Sequence, residues 1–362
     1  MNFDHLHYIP CLRWKQGEYQ AVSRLPETTK SVFMPLIEVP EIGWDFEEGT
    51  EAKTIDEHLA PFAKRVHKKW GDSPCFVDLS LIKCTERMAT GIHPVCFIFG
   101  GLRGMKCQAI PVTGLLRDET YQREIKATSA EDKRGVCLRI TIEQAAKEAL
   151  KIEIDALLST VEIKPSDIDL VLDLEAPNFV PLDGFRMVIQ AIVSKLPYLN
   201  KWRTFTLLGT SFPETMGSIK EGVETVPRHE WQLYKMLVNG LREAKLRLPS
   251  FGDYAINHPK VLELDMRKVK PSATIRYTVD NHWYIVKGKN VRDYGFEQYH
   301  ELSKKIFASR YYCGATFSWG DDYIQVCANK SGKTGSLMTW RQVGTNHHIE
   351  KVTRDIASFC AA

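Results

Sequence analysis

The sequence predicts one (β/α)8 barrel of the TIM type followed by a small α+β C-terminal module. Three observations carry this. Short β-rich runs alternate with amphipathic helical stretches through the first two thirds of the 362 residues, the pattern of βαβ units around a parallel sheet. Eight such runs occur, which favours closure into a barrel over an open, doubly wound sheet. The open sheet also lacks its phosphate turn: Trp14-Lys15-Gln16-Gly17-Glu18 holds one glycine where a dinucleotide fingerprint has three. The rhythm changes near Pro259, so the barrel is placed at residues 1–259 and the module at 260–362.

The strands are read at Tyr8–Trp14, Val32–Val39, Cys75–Ser80, Gln108–Thr113, Val136–Ile140, Ile168–Leu174, Thr204–Gly209 and Ser250–Ile256. Each is a short apolar run, as a strand covered on both faces requires. The eighth has the weakest pattern. Helices are expected at Gly17–Leu25, Ile55–Trp70, His93–Leu102, from Glu119, and at Thr141–Leu158, Gly184–Leu196 and Arg228–Ala244. Thr54 and Glu57 stand at capping-box spacing before the second of these. In the module, Thr274–Val279 and Trp283–Val286 read as two strands, and Phe296–Ser309 as a helix. Thr316–Trp319 and Tyr323–Ala328 read as a hairpin around Gly320-Asp321-Asp322, and His347–Phe359 as the last helix.

With 44% hydrophobic and 26% charged residues the chain has the composition of a globular protein. A formal net charge of +3 neither demands nor excludes a nucleic-acid partner. No apolar run is long enough to span a bilayer and the N-terminus has no signal-peptide core, so a cytoplasmic protein is expected. Nine cysteines without a CxxC argue against a zinc ribbon; Cys11, Cys75 and Cys137 fall in strand runs, where a thiol serves as apolar filler.

Barrels of this class place their chemistry at the C-terminal ends of the strands. Reading those ends gives Arg13 and Lys15, Glu38, Asp78, Thr113, Arg139, Asp173 and Glu175, Thr210 and Ser211, then Asp253, Tyr254 and Asn257. An apolar strand ends in a charge where water, a partner charge or a ligand meets it. Glu38 and Asp78 are hard oxygen donors suited to Mg²⁺ or Mn²⁺. Arg13, Arg139, Asp253 and Asn257 are candidate substrate-binding groups, the arginines for phosphate. Asp173, Glu175 and Lys15 complete the set as candidate catalytic groups for metal-assisted phosphodiester hydrolysis. The same residues also suit a structural ion network, with Glu38 on Lys15 and Asp78 on Arg13. Two carboxylates such as Glu38 and Glu175 would also suit a glycosidase. His347 and His348 are adjacent and face different directions on a helix, a poor shared metal site. Arg276, Tyr277, Trp283, Tyr284, Lys287, Lys289, Arg292 and Tyr294 mix basic and aromatic groups. They are read first as the core and edge of a small sheet, and second as a nucleic-acid surface.

The segments Tyr8-Ile9-Pro10-Cys11-Leu12-Arg13-Trp14-Lys15-Gln16-Gly17-Glu18, Pro35-Leu36-Ile37-Glu38 and Phe76-Val77-Asp78-Leu79 resemble the bacterial and prophage "beta family" proteins over most of the chain. That resemblance implies a role in anti-phage defence and carries no catalytic residue with it. Three readings follow: a metal-dependent nuclease, a sensor that recognises a phage product or nucleotide and signals to a partner protein, and a structural subunit. The nuclease reading expects the carboxylates to converge on a metal; the sensor reading expects an open pocket.

Overall fold

A computed structural model describes residues 3–260, 265 and 267–361. Eight parallel strands form one sheet: β1 Cys11–Arg13, β2 Leu36–Glu38, β3 Cys75–Asp78, β4 Ala109–Thr113, β5 Val136–Thr141, β6 Ile168–Asp173, β7 Thr204–Leu208 and β8 Ser250–Gly252. They pair in chain order. The ring closes through a parallel bridge between Tyr8 and Phe251, the Ile9 N–H donating to the Phe251 carbonyl at 2.9 Å. The protein is a TIM-like α/β barrel.

Two apolar layers hold it. The larger fills the space between strands and outer helices, with Leu12, Ile37, Val77, Leu138, Leu170 and Leu207 facing outward. The smaller lies inside the barrel and includes Cys11, Leu36, Phe76, Cys137 and Val171. Side chains alternate along a strand, so the residue two positions later also faces inward. Those residues are Arg13, Glu38, Asp78, Arg139 and Asp173. One period-2 rule thus supplies both the barrel's packed interior and its charged rim.

The strand positions follow the sequence reading, while several other elements differ. The helix expected at Ile55–Trp70 is two, Ile55–Leu59 and Phe62–Lys69, because Pro61 has no N–H to continue the ladder. The Thr54–Glu57 capping box is formed. The stretch 141–158 also divides, into Ile142–Ala145 and Leu150–Val161. The expected hairpin at 316–328 is instead the helix Trp319–Ala328. Ser318 Oγ accepts from the Asp321 N–H at 3.1 Å, an N-cap that converts the Gly-Asp-Asp turn signal into a helix start.

The module's sheet has three antiparallel strands. β9 Ser272–Thr278 and β10 His282–Asn290 form the hairpin, and a third strand, Gly222–Pro227, is lent by the long connection after β7. The boundary expected at 259/260 is therefore crossed once here, and again by the last helix. That helix runs over Leu337–Ala361, starting ahead of the expected His347. Its first turns put Trp340 and Val343 into the module core. Its later turns put Ile349, Val352 and Ile356 into the barrel's outer layer. Phe359 packs on Trp231 and Tyr234 of the helix His229–Glu243, at ring separations of 6.0 and 6.3 Å. On its other side the last helix packs against the helix Gln16–Val22. It thus fills the place of the eighth barrel helix, and the module is an insertion between strand eight and helix eight.

Candidate functional site

At the barrel's C-terminal rim the inward charges meet. Arg139 is the hub. Its Nε donates to Asp173 Oδ2 at 2.8 Å, and its NH1 donates to Glu38 Oε1 and Asp78 Oδ2 at 2.9 Å each. Its NH2 donates to the Tyr254 hydroxyl at 2.8 Å, and that hydroxyl donates to Asp173 Oδ2 at 2.7 Å. Burial opposes the guanidinium charge, yet Tyr254, Asp173 and Glu38 around it hold its pKa well above the usual arginine value. The other carboxylate oxygens are also used. Asp78 Oδ1 accepts from Arg117 NH2 at 2.9 Å and from the Ser80 N–H at 2.8 Å. Asp173 Oδ1 accepts from the Glu175 N–H at 2.8 Å. Arg13 Nε stands 3.8 Å from Glu38 Oε2.

Glu38, Asp78 and Asp173 therefore converge, but on a guanidinium. A divalent cation at this point would have to displace Arg139, whose charge repels it. Glu38 and Asp78 do not form the open oxygen cage that Mg²⁺ or Mn²⁺ requires. Among the described residues, no group of three or more His, Cys, Asp or Glu side chains is arranged to hold a metal ion. The expected pairings differ as well: Lys15 bonds Glu41 at 2.5 Å rather than Glu38, and Asp78 takes Arg117 and Arg139 rather than Arg13.

The remaining candidates separate from this cluster. Lys15 is exposed and turned to Glu41. Glu175 is exposed at a positive φ of 57°, its pKa raised by partial burial and by Asp173. Asp253 is wholly buried. It accepts from the Tyr8 hydroxyl at 2.5 Å and from the Ala255 N–H at 2.8 Å, with His348 Nε2 at 2.9 Å from its other oxygen. It ties the last helix to the barrel and does not face the rim. His348 Nδ1 meets Thr278 Oγ1, whereas His347 meets Asp321 and the Thr278 carbonyl, so the two imidazoles do point apart. In the basic-aromatic set, Tyr277 and Trp283 are fully buried core residues.

Arg13 and Asn257 belong to a second feature beside the rim, a cavity of about 620 Å³ between barrel and module. Its floor is the end of β1 and the loops after β7 and β8; its roof is β9, β10 and the start of the last helix. Six cationic side chains line it: Arg13, Lys260, Lys270, Arg276, Lys287 and Arg341. Glu214 is the one lining carboxylate among the described residues. Behind Asn257 lies the buried Glu18. Asn257 donates from Nδ2 to Glu18 and accepts at Oδ1 from Arg341. Burial raises the Glu18 pKa to about 7 against the opposing pull of Arg341 and Arg13. Arg276 has no side-chain hydrogen bond or ion pair among the described residues. Its pKa is lowered to about 9, chiefly by burial and then by the Arg341 charge. Sequence reading missed Glu18, Arg117 and Arg341 as site groups. Arg117 lies just beyond a strand end, within reach of a wider window. Arg341 is 84 residues from its partner Asn257, and nothing local marks it.

A solved structure of triosephosphate isomerase from Bartonella henselae is similar to 68% of this chain and 92% of its own, at 10% identity and a TM-score of 0.35. No curated protein matches. The family model described as "Beta protein" matches residues 8–354, from the bridge that closes the barrel to the last turns of the helix that completes it, and the chain belongs to that family.

Proposed function

We propose that this protein is a non-catalytic binding subunit that recognises a small phosphate-bearing anion at the mouth of its barrel. We infer that it passes that signal to a partner protein in bacterial anti-phage defence, in the cytoplasm. The observation that carries the binding reading is the cavity between barrel and module, where among the described residues six cations meet one lining carboxylate and Arg276 has no side-chain partner. Gathering cations in a half-enclosed space is costly unless an anion meets them. A volume of about 620 Å³ is in the range of small-molecule sites. The setting in phage defence rests on the family resemblance.

The hydrolase reading keeps one observation in its favour, the convergence of Glu38, Asp78 and Asp173. It needs Arg139 to leave before Mg²⁺ or Mn²⁺ could enter. Incubation with single- and double-stranded DNA and RNA plus either metal separates the readings, run beside Asp173→Ala. No cleavage is expected; metal-dependent cleavage lost in Asp173→Ala would overturn the binding reading. In parallel, inorganic pyrophosphate is expected to raise the melting temperature of the protein and to do so less in Arg276→Gln.

A further inference from the structure

The cavity's lining is of two chemistries. Three guanidiniums reach it from three separate elements: Arg13 at the end of β1 in the floor, Arg276 on β9 and Arg341 on the last helix in the roof. They are close enough to act on one another: Arg341 has its pKa lowered first by burial and also by Arg13, and Arg276 feels Arg341. Beside Arg13 the floor has an apolar wall. Phe212, Met216 and Ile256 line the cavity and belong to a cluster with Trp283 and Ile285. Phe212 meets Trp283 edge to face at 5.0 Å and 90°, which fixes its ring.

The lysines of the cavity are already engaged. Lys287 Nζ donates to the Met216 and Ile219 carbonyls at 2.6 Å each, pinning the loop that carries the apolar wall. Lys260 pairs with Glu214 at 2.8 Å and Lys270 with Asp293 at 2.9 Å. Arg13 gives NH2 to the Pro259 carbonyl at 2.7 Å and stands 3.8 Å from Glu38, and Arg341 gives NH1 to the Ile256 carbonyl and to Asn257 with Glu18 behind it, so among the described residues neither donates a hydrogen bond to a carboxylate. The groups left to address a ligand are the guanidiniums, whose planar forks match phosphate oxygens in pairs.

We propose that this cavity takes a nucleoside polyphosphate, with adjacent phosphates across Arg13, Arg341 and Arg276 and the base against Phe212, Met216 and Ile256. The inference deepens the binding reading above and rests on it. A single phosphate brings a charge of about −2 at most, less than three guanidiniums call for. A chain of two or more phosphates carries more charge and has the length to reach elements of both barrel and module. The apolar wall then gives the planar end of the ligand a surface that inorganic polyphosphate leaves bare. The loops after strands seven and eight, which form this floor, are where barrels of this class commonly seat phosphate.

Calorimetric titration of the full chain tests this with five probes: orthophosphate, pyrophosphate, adenosine, and the diphosphates of adenosine and guanosine. At least one nucleoside diphosphate is expected to bind about tenfold tighter than pyrophosphate, and pyrophosphate tighter than orthophosphate. Arg276→Gln is expected to weaken pyrophosphate and nucleotide alike by about tenfold or more, the loss of a charged hydrogen-bonding partner. Met216→Ala is expected to weaken only the nucleotide. At pH 8, above the Glu18 pKa of about 7, Glu18→Gln removes the resident negative charge and is expected to tighten pyrophosphate binding, a gain that misfolding cannot imitate. Pyrophosphate binding as tight as either nucleotide overturns the nucleotide inference and leaves the anion reading standing. Absent pyrophosphate binding, or equal binding in Arg276→Gln, overturns both.

Discussion

Arg139 shows how much one residue can decide. Three carboxylates surround its guanidinium, and all three are at least 96% buried, Glu38 being the most exposed at 4%. Removing the central member of a buried ion cluster leaves the others uncompensated, at a cost of about 3–5 kcal/mol. Arg139→Met should therefore lose about that much stability at pH 7 in urea unfolding. Glu230 offers the opposite sign. It is buried beside Arg228, with Ser211 donating to it and Asp253 nearby, and burial raises its pKa from 4.5 to about 7. Between those two values the folded state holds a proton that the unfolded state has lost, so this residue's contribution to stability falls as pH rises from 4.5 to 7. Glu230→Gln should then stabilise the protein at pH 8, by up to about 3 kcal/mol, and change little at pH 4.5. A constant difference across that pH range would refute the assignment. Arg139 and its three partners were legible as strand-end charges, because period-2 alternation fixes which residues face inward. Who pairs with whom was not: Arg139 and Glu38 are 101 residues apart and meet across the barrel interior, a relation that no local pattern encodes.

At the scale of elements, the last helix departs most from what its sequence pattern suggests. Its buried positions include Gln342, Thr345, Asn346, His347, His348 and Glu350 beside Val343, Ile349 and Val352. The helix therefore has no clean apolar stripe, and its start and its double role were hidden. The polar positions are held by specific partners: Asn346 donates to the Ala21 carbonyl at 3.2 Å, and Thr29 donates to Glu350 at 3.0 Å. Without this helix the wall of the barrel between the helices Gln16–Val22 and His229–Glu243 would stand open. Ile349→Ala should cost about 2–5 kcal/mol, as a core truncation does, although residue 349 lies far beyond the expected barrel limit at 259. A chain ended after Ser336 should lose its cooperative thermal transition; a sharp transition at the native temperature would show the barrel to be complete without it. The strand Gly222–Pro227 was missed for a related reason. Its alternation is intermediate against exposed, not buried against exposed, so it has little amphipathic signal until β10 is beside it.

For the molecule as a whole, these two crossings make the barrel and module mechanically one. The sheet of the module needs a strand from the seventh barrel loop, and the barrel needs a helix that begins in the module core. The cavity lies across this seam, lined from below by Arg13, Phe212 and Ile256 and from above by Arg276, Lys287 and Arg341. A ligand held there touches both halves, so its binding free energy must appear in the stability of both. At a free concentration of one hundred times its dissociation constant, a ligand that binds only the folded state adds about 2.7 kcal/mol. Native-state hydrogen exchange reads where that energy goes. The slowest amides of β6 in the barrel and of β9 in the module should open with the same free energy. Pyrophosphate should raise both by the same amount. Protection that rises in β9 alone would mean that the module opens as its own unit, and that the signal of a bound anion stops at the seam instead of reaching the barrel.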